Sequence, residues 1–533
     1  MEDDRSAPRA HVGGDGAIRW LGLFTVYALA ALWVLGPARG GDFVSDDLPN
    51  LLYNPYVHTL SLENLGAILD PGGAPAAETF NYAPVHTLVH ALQWQLFGED
   101  VRGYHVAQAL AHAAAAALLA ALLATRGLAF AASAVGGAFF LLHPANVEAS
   151  AWIFQIKTTL ALALALGALL LLPSRPGLAV GAFTLGLLTK ASAAFALPMA
   201  AVFAVLDRDA GGPWRARSRW LFGWGLILVP YAFAELRVLG RMDAAHEPLH
   251  PDAWVAARTI VAIAGRYIAM AATGFGVAPS HEPPPALSPL DPWWLAGLVA
   301  LVALAARTLF ALRRRREEAA WWIGAAAAYL PIAQIGTTFI SPMADRYLYF
   351  ALPGLIGGCA FAARDTWRRH AHSPATLYWV ARAAGAVALA VLALFAWRSH
   401  AQAGHWRSAV TLALASADRY PDGLAAQLLA AQRGALRGDA AATVTALRAA
   451  AARGYDRFEV LAQAPVYDVV RRDPAFQALL REMAASWVQN SLTLTHPTEA
   501  DLRARANACR VIEDDACVRA ALAEAARLGD AHP

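Results

Sequence analysis

Long apolar runs alternate along this chain with short polar breaks rich in glycine, proline and arginine, and the alternation predicts its architecture. A helix that crosses a membrane needs about 20 apolar residues. Runs at 17–38, 104–124, 127–143, 155–173, 177–189, 191–206, 219–240, 255–277, 293–312, 320–340, 347–363 and 376–397 approach or meet that length. They predict an all-α, polytopic helical membrane core over residues 17–397, with about 11–12 transmembrane helices. Two of the runs, 177–189 and 191–206, are short and meet at Lys190, with Pro198 inside the second. Half-length helices meeting at a charge belong where protein or a watery cavity covers the break.

Arginine sets the expected orientation. The segments 207–219 (DRDAGGPWRARSR), 313–316 (RRRR) and 364–370 (RDTWRRH) are basic and fall between apolar runs, which places them in the cytoplasm. Residues 1–16 are then cytoplasmic. The loop 39–103, the turns HPANVEAS (143–150) and SPMADR (341–346), and everything after 398 lie outside. In a bacterial cell that makes a multi-pass inner (plasma) membrane protein with a periplasmic C-terminal domain. Twelve full crossings would return the tail to the cytoplasm, so 255–277, which carries Arg258 and Arg266, is expected to be re-entrant or in-plane. The first run follows an acidic start, MEDDRSAPRAHVGGDGAIRW, and lacks a small-residue cleavage site, so it is expected to be retained as a helix.

Two weaker patterns lie outside the runs. In the loop 39–103, the stretch 81–98 (NYAPVHTLVHALQWQLFG) aligns Val85, Leu88, Val89, Leu92 and Leu96 on one helical stripe, which predicts a helix lying on the membrane surface. His86 and His90 sit one turn apart on it. The spacing suits a metal, but without a carboxylate in the same motif plain interfacial residues are the favoured reading. From 398 to 533 the texture becomes amphipathic: WRSAVTLALASADRYPD, GLAAQLLAAQRGALRGD and AAATVTALRAAAARGYD each end on Gly, Pro or Asp. A period of roughly 34 residues suggests a tetratricopeptide-like helical stack, serving as a cap or as a surface for a protein partner.

Composition narrows the class. At 58% hydrophobic and 16% charged, the chain of 533 residues is too apolar for a soluble protein and too long for one domain. A net charge of +3, with arginines confined to short inter-helix runs, argues against nucleic acid as a partner. Cys359, Cys509 and Cys517 form neither a disulfide framework nor a zinc pattern. A single Cys509–Cys517 bridge and two unbridged thiols both remain open.

The candidate chemistry lies at the outer ends of the runs. Asp46 and Asp47, in GDFVSDDLPNLLYNP, form a carboxylate pair at the mouth of the first run, where desolvation is costly and a functional role is the default. Lys157 and Lys190 are the only lysines among 43 basic side chains, and both fall at expected outer helix ends. An arginine-rich chain that keeps lysine there points to a compact ammonium on a phosphate. Arg346 joins them from SPMADR, and Arg266 is the further candidate donor-phosphate cation. The competing reading is that each of these cations snorkels to the interface or pairs with Glu148 or Asp345.

In order, DFVSDDLPNLLYNPYV, NYAPVHTLVHALQWQLFG, GYHVAQALAHA, LLHPANVEASAWIFQIKTTLAL, LLTKASAAFALP and SPMADRYLYF resemble the GT-C class of membrane glycosyltransferases. The likeness is closest to members that join such a core to tetratricopeptide repeats, O-mannosyltransferases among them, and covers residues 17–365 and the helical tail. It implies transfer of a sugar from a polyprenyl-phosphate donor in the membrane lipid to a hydroxyl of a protein or glycan acceptor, with inversion, on the extracytoplasmic face. It assigns Asp46 as the base and Asp47 as its partner on the acceptor or on a divalent cation such as Mg2+ or Mn2+. Lys157, Lys190 and Arg346 would meet the leaving phosphate, while His143 and Glu148 would orient the acceptor or a cation, and Tyr82 and His86 the acceptor. Thr158 stands where relatives carry an acid, Ser45 where they carry an aromatic residue, and Ala83 where they carry His or Arg. A non-catalytic scaffold using the helical tail, or a lipid-linked sugar transporter or flippase, are the alternatives; against the latter, no repetition relates 17–200 to 219–397.

Overall fold

The computed structural model describes residues 14–79, 81–209, 214–240, 249–335, 341–370, 374–494 and 497–530. Most of the expected N-terminal cytoplasmic segment, residues 1–13, lies outside the described residues. No strand occurs among the described residues, and the all-α, multi-helix architecture is what forms.

Eight described helices are long and apolar enough to cross a membrane: Gly16–Val34, Val101–Thr125, Ile153–Leu171, Ala191–Arg208, Arg215–Leu239, Ala253–Thr273, Pro292–Arg313 and Tyr378–Arg407. Phe130–Leu142 and Pro144–Ala151 would make a ninth if they are one span, bent by 56° at His143. The other expected runs are shorter or more polar helices, Pro176–Thr189, Glu318–Tyr329 and Leu352–His370. The segment expected to be re-entrant or in-plane is a continuous helix of 21 residues, Ala253–Thr273, with no break. The sharp bend falls instead at 142–144, where His143 Nδ1 accepts the Ala145 N–H and Asn146 caps the Phe140 carbonyl.

Small residues explain how apolar helices pack without a hydrophobic force between them. Gly265 and Gly297 let Ala253–Thr273 and Pro292–Arg313 cross so closely that a Cβ on Gly265 would sit 2.8 Å from the Gly297 Cα. On Leu352–His370, Gly357 and Gly358 make room for the rings of Trp321 and Trp322. One face of Trp214–Leu239 stays apolar and exposed at Phe222, Leu226, Val229, Phe233 and Leu236, as a lipid-facing stripe requires.

The arginine-bearing helix ends are tied by ion pairs. Arg126 bridges Glu317 at 2.6 Å and Asp207 at 3.0 Å, Arg217 also meets Asp207, and Arg307 holds the buried Glu318 at 2.8 Å.

A second compact unit takes in Ala278–Glu282 and Val410–Pro533. It begins later than residue 398 because Gly404–Arg407 packs back on the first unit, where the Arg407 carbonyl accepts the Asp42 N–H at 2.9 Å. Its helices Leu424–Leu436 and Ala440–Ala451 form a hairpin closed at Gly434, whose missing Cβ leaves room for Thr443. Helix lengths run from 6 residues at Phe458–Gln463 to 19 at Pro474–Leu492. Leu447, Phe458, Leu461, Tyr467, Phe476 and Leu479 form the core. A disulfide joins Cys509 to Cys517 across the hairpin of Glu499–Val511 and Asp515–Asp530.

Candidate active site

The two adjacent aspartates have different surroundings. Asp47 is 1% exposed. Its Oδ2 accepts the Val44 N–H at 3.0 Å and its Oδ1 accepts the Phe154 N–H at 2.7 Å. Trp152 Nε1 closes the same corner on the Val44 carbonyl at 3.3 Å. The loop after the first helix is thus bolted to the 152–154 segment through one carboxylate. Burial pushes the Asp47 carboxyl up to about 7, against the two backbone donors that favour its ionised form.

Asp46 is only half-buried, and its carboxylate makes no hydrogen bond or ion pair among the described residues. Ser45, at φ +53°, turns the chain through the left-handed region just before it. Asn50 then anchors the Asp46 carbonyl through its backbone and side-chain N–H groups, at 3.1 and 2.9 Å, and leaves the carboxylate untouched.

The cations converge on this corner from three other places in the chain. Lys157 is buried, with Nζ 3.9 Å above the Phe154 ring, and makes no hydrogen bond or ion pair among the described residues. The charges acting on it are Asp46, Arg346 and Glu235. Lys190 occupies the break between Pro176–Thr189 and Ala191–Phe195 in extended backbone, so its side chain leaves the helix axis. Its Nζ donates to Thr158 Oγ1 at 2.7 Å, and Thr158 in turn donates to Gln155 Oε1 at 2.7 Å. Lys157, Arg346 and Glu148 are the charges acting on Lys190. The break at Lys190 and the Asp46 turn therefore belong to one cluster.

Arg346 is committed. Its backbone N–H donates to Glu148 Oε2 at 2.7 Å, its guanidinium pairs with Glu148 Oε1, and Trp152 and Tyr347 lie beneath it. Of the two sequence readings for Arg346, the pair with Glu148 is the one present. His143 is also committed: Nε2 meets the Ala271 carbonyl at 3.1 Å, and the ring pins the bend against the end of Ala253–Thr273. Arg266 is placed over the Trp293 ring, 4.6 Å from its centre, on the helix pair crossing at Gly265.

The Pro84–Phe97 helix is inside out. Its apolar Leu92 and Leu96 are exposed, while His86, His90, Thr87 and Gln93 are buried. His86 Nε2 meets the Phe154 carbonyl at 3.1 Å, and His90 stacks on the Phe154 ring and bonds Gln93 through Nδ1 at 3.0 Å. Burial drives both imidazoles down, His90 to about 3, and His90 Nε2 is buried with no partner among the described residues. Plain interfacial histidines would face water, and these face the cluster.

Glu235 was not anticipated from sequence. It lies on Trp214–Leu239, and its Oε2 accepts the Tyr82 N–H at 2.7 Å, while Tyr231 donates its hydroxyl to the Tyr82 carbonyl at 3.3 Å. Tyr82 donates its own hydroxyl to the Leu69 carbonyl at 2.9 Å. A lone glutamate inside the apolar run 219–240 was the available signal.

Asp47 is sealed by backbone donors and cannot turn toward a cation shared with Asp46 without releasing them. Among the described residues no group of three or more His, Cys, Asp or Glu is arranged to hold a metal ion. A groove of about 450 Å³, lined by Asp42, Phe43, Leu48, Glu99 and Arg102 among others, opens beside the Asp46 turn.

What the arrangement offers chemically is a set of uncommitted groups: the Asp46 carboxylate, the Lys157 ammonium, the remaining N–H donors of Lys190, and one Glu235 oxygen. No known family model matches the chain, and no curated protein is significantly similar to it.

Proposed function

We propose that the chain is a membrane glycosyltransferase of the GT-C type, moving a sugar from a polyprenyl phosphate to an acceptor hydroxyl. The observation that carries the reading is Asp46, whose carboxylate makes no hydrogen bond or ion pair among the described residues, and whose charge acts on a lysine that makes none there either. An anion bound at Lys157 and Lys190 would satisfy donors that the protein leaves open.

In the reaction so read, the acceptor O–H gives its proton to Asp46. The acceptor oxygen bonds to the anomeric carbon as the bond from that carbon to the phosphate oxygen breaks, its electron pair leaving with the phosphate. Configuration inverts, and one carboxylate suffices because the phosphate departs without protonation. Lys157 and Lys190 meet the charge that develops on it. Arg346, neutralised by Glu148, contributes a fixed dipole and the placement of the 341–346 turn.

The arginine-rich loops support an inner-membrane protein with these residues on the outer face. The Cys509–Cys517 bridge supports an oxidising compartment for the second unit. Its helical hairpins give a surface for the acceptor or another protein partner. Replacing Asp46 with Asn tests the reading: transfer from radiolabelled polyprenyl-phosphate sugar should fall by roughly 100-fold or more, with donor binding retained. Transfer at the wild-type rate would remove Asp46 as base, and lipid translocation without transfer would favour a transporter.

A further inference from the structure

We infer that Glu235 is the carboxylate that accepts hydroxyls of the sugar being transferred, an inference that rests on the glycosyl-transfer reading. A glutamate on a membrane helix is costly and calls for a reason. Satisfying the single Tyr82 N–H, at 2.7 Å from Oε2, does not supply one, since a neutral amide would accept that bond equally well. Lys157 does not supply one either. It is close enough for its charge to act on Glu235, yet the two form no ion pair. Oε1 of Glu235 therefore keeps an acceptor site that nothing among the described residues fills.

The surroundings suit a sugar. Tyr82 and Tyr231 stand beside the carboxylate, with ring centres 6.3 Å apart and planes tilted by 37°. An acceptor oxygen next to aromatic faces is the chemistry that recognises a pyranose, whose hydroxyls donate and whose C–H faces pack on rings. Tyr82 leads into the Pro84–Phe97 helix, whose His86 bonds the Phe154 carbonyl, and the Phe154 ring carries Lys157. Glu235 and the phosphate-binding lysine are thereby held through one short segment. Asp46 and Glu235 are the two carboxylates whose charges act on Lys157. Inversion puts base and leaving phosphate in line through the anomeric carbon, so the sugar ring extends to the side of that line, and with Asp46 taken as the base Glu235 is the carboxylate left for its hydroxyls. This makes Glu235 a specificity-determining residue, and neither a base nor a phosphate ligand.

The test compares binding of bare polyprenyl monophosphate with polyprenyl monophosphates bearing mannose, glucose or arabinose, using the full chain in nanodiscs. Glu235→Gln keeps an oxygen for Tyr82 and turns the free acceptor into a donor. It should leave binding of the bare lipid within about twofold and weaken the preferred sugar-bearing lipid by roughly 10–100-fold, the range for a lost charged hydrogen bond. Equal losses for both lipids, or no loss for either, overturn the inference. Glu235→Asp keeps the charge but withdraws it. Should Glu235→Gln fail to fold, a loss confined to the sugar-bearing lipid in Glu235→Asp supports the inference and a uniform loss overturns it. Wild-type protein that binds none of the lipids refutes the glycosyl-transfer reading itself, whereas wild-type preference for one sugar with no change in Glu235→Gln refutes only the role of Glu235.

Discussion

The sharpest consequence of the structure is that two adjacent, chemically identical residues should fail in different ways. Truncating Asp47 to Ala removes the acceptor for the Val44 and Phe154 N–H groups, bonded at 3.0 and 2.7 Å in a corner where Asp47 is 1% exposed. Each buried donor left unsatisfied costs about 1–3 kcal/mol, so the pair together costs about 2–6 kcal/mol. Asp46→Ala strands no donor among the described residues, where the Asp46 carboxylate makes no hydrogen bond or ion pair, and its stability cost should stay below about 0.5 kcal/mol. For a membrane unit larger than the domains on which the scale rests, we take about 1–2 °C per kcal/mol, giving a fall of roughly 2–12 °C for Asp47→Ala and almost none for Asp46→Ala. Thermal unfolding of both variants in the same detergent reads this directly. Transfer activity measured well below both transitions supplies the second axis, on which Asp46→Ala should lose the reaction. If the two variants move together on the thermal axis, the assignment of Asp47 as the bolt and Asp46 as the free carboxylate is wrong.

The same geometry makes further claims. Thr158→Asp places a carboxylate where a hydroxyl now accepts Lys190 at 2.7 Å; it should draw the ammonium into an ion pair and weaken binding of bare polyprenyl phosphate by roughly tenfold, and unchanged binding would remove Lys190 from the phosphate site. Arg346→Met strands the buried Glu148 carboxylate and should cost about 3–5 kcal/mol, whereas Arg346→Met combined with Glu148→Gln should recover most of it; a double variant no better than the single one would show that the pair does not act as a unit. Because the folded-state Asp47 carboxyl is raised to about 7 from an ordinary value of 3.8, its contribution to stability is full below pH 3.8 and is lost as pH rises toward 7. His86 and His90, lowered by burial, act in the opposite sense. The wild-type transition temperature minus that of Asp47→Asn should therefore decline between pH 5 and 7.5, and a flat difference would refute the raised carboxyl.

The helical architecture was legible because apolar run length is a one-dimensional property. Part of the cluster was conspicuous too, since a lysine kept in an arginine-rich chain, or an acid at a helix mouth, stands out wherever it lies, whereas Glu235 inside an apolar run did not. What sequence could not supply was commitment. Nothing in SPMADR or HPANVEAS distinguishes a free Arg346 from one already spent on Glu148, a pairing across 198 positions. Nothing in the spelling DD separates a carboxylate locked by two backbone donors from a neighbour whose carboxylate meets no partner among the described residues.

The Pro84–Phe97 helix shows why. Its stripe of Val85, Leu88, Val89, Leu92 and Leu96 predicts a helix flat on the membrane surface, with His86 and His90 as interfacial residues. In a membrane protein the partition reverses: Leu92 and Leu96 can face lipid at no cost, and the polar face is the buried one. Periodicity finds both faces of such a helix but cannot say which is inside, because the answer belongs to the solvent. The Trp214–Leu239 helix obeys the same rule. Phe222, Leu226, Val229, Phe233 and Leu236 lie outward, and Glu235, the residue most easily passed over in the sequence, lies on the side that holds Tyr82. In this chain an isolated polar residue on an apolar helix therefore marks the protein-facing side more reliably than the apolar stripe marks the core.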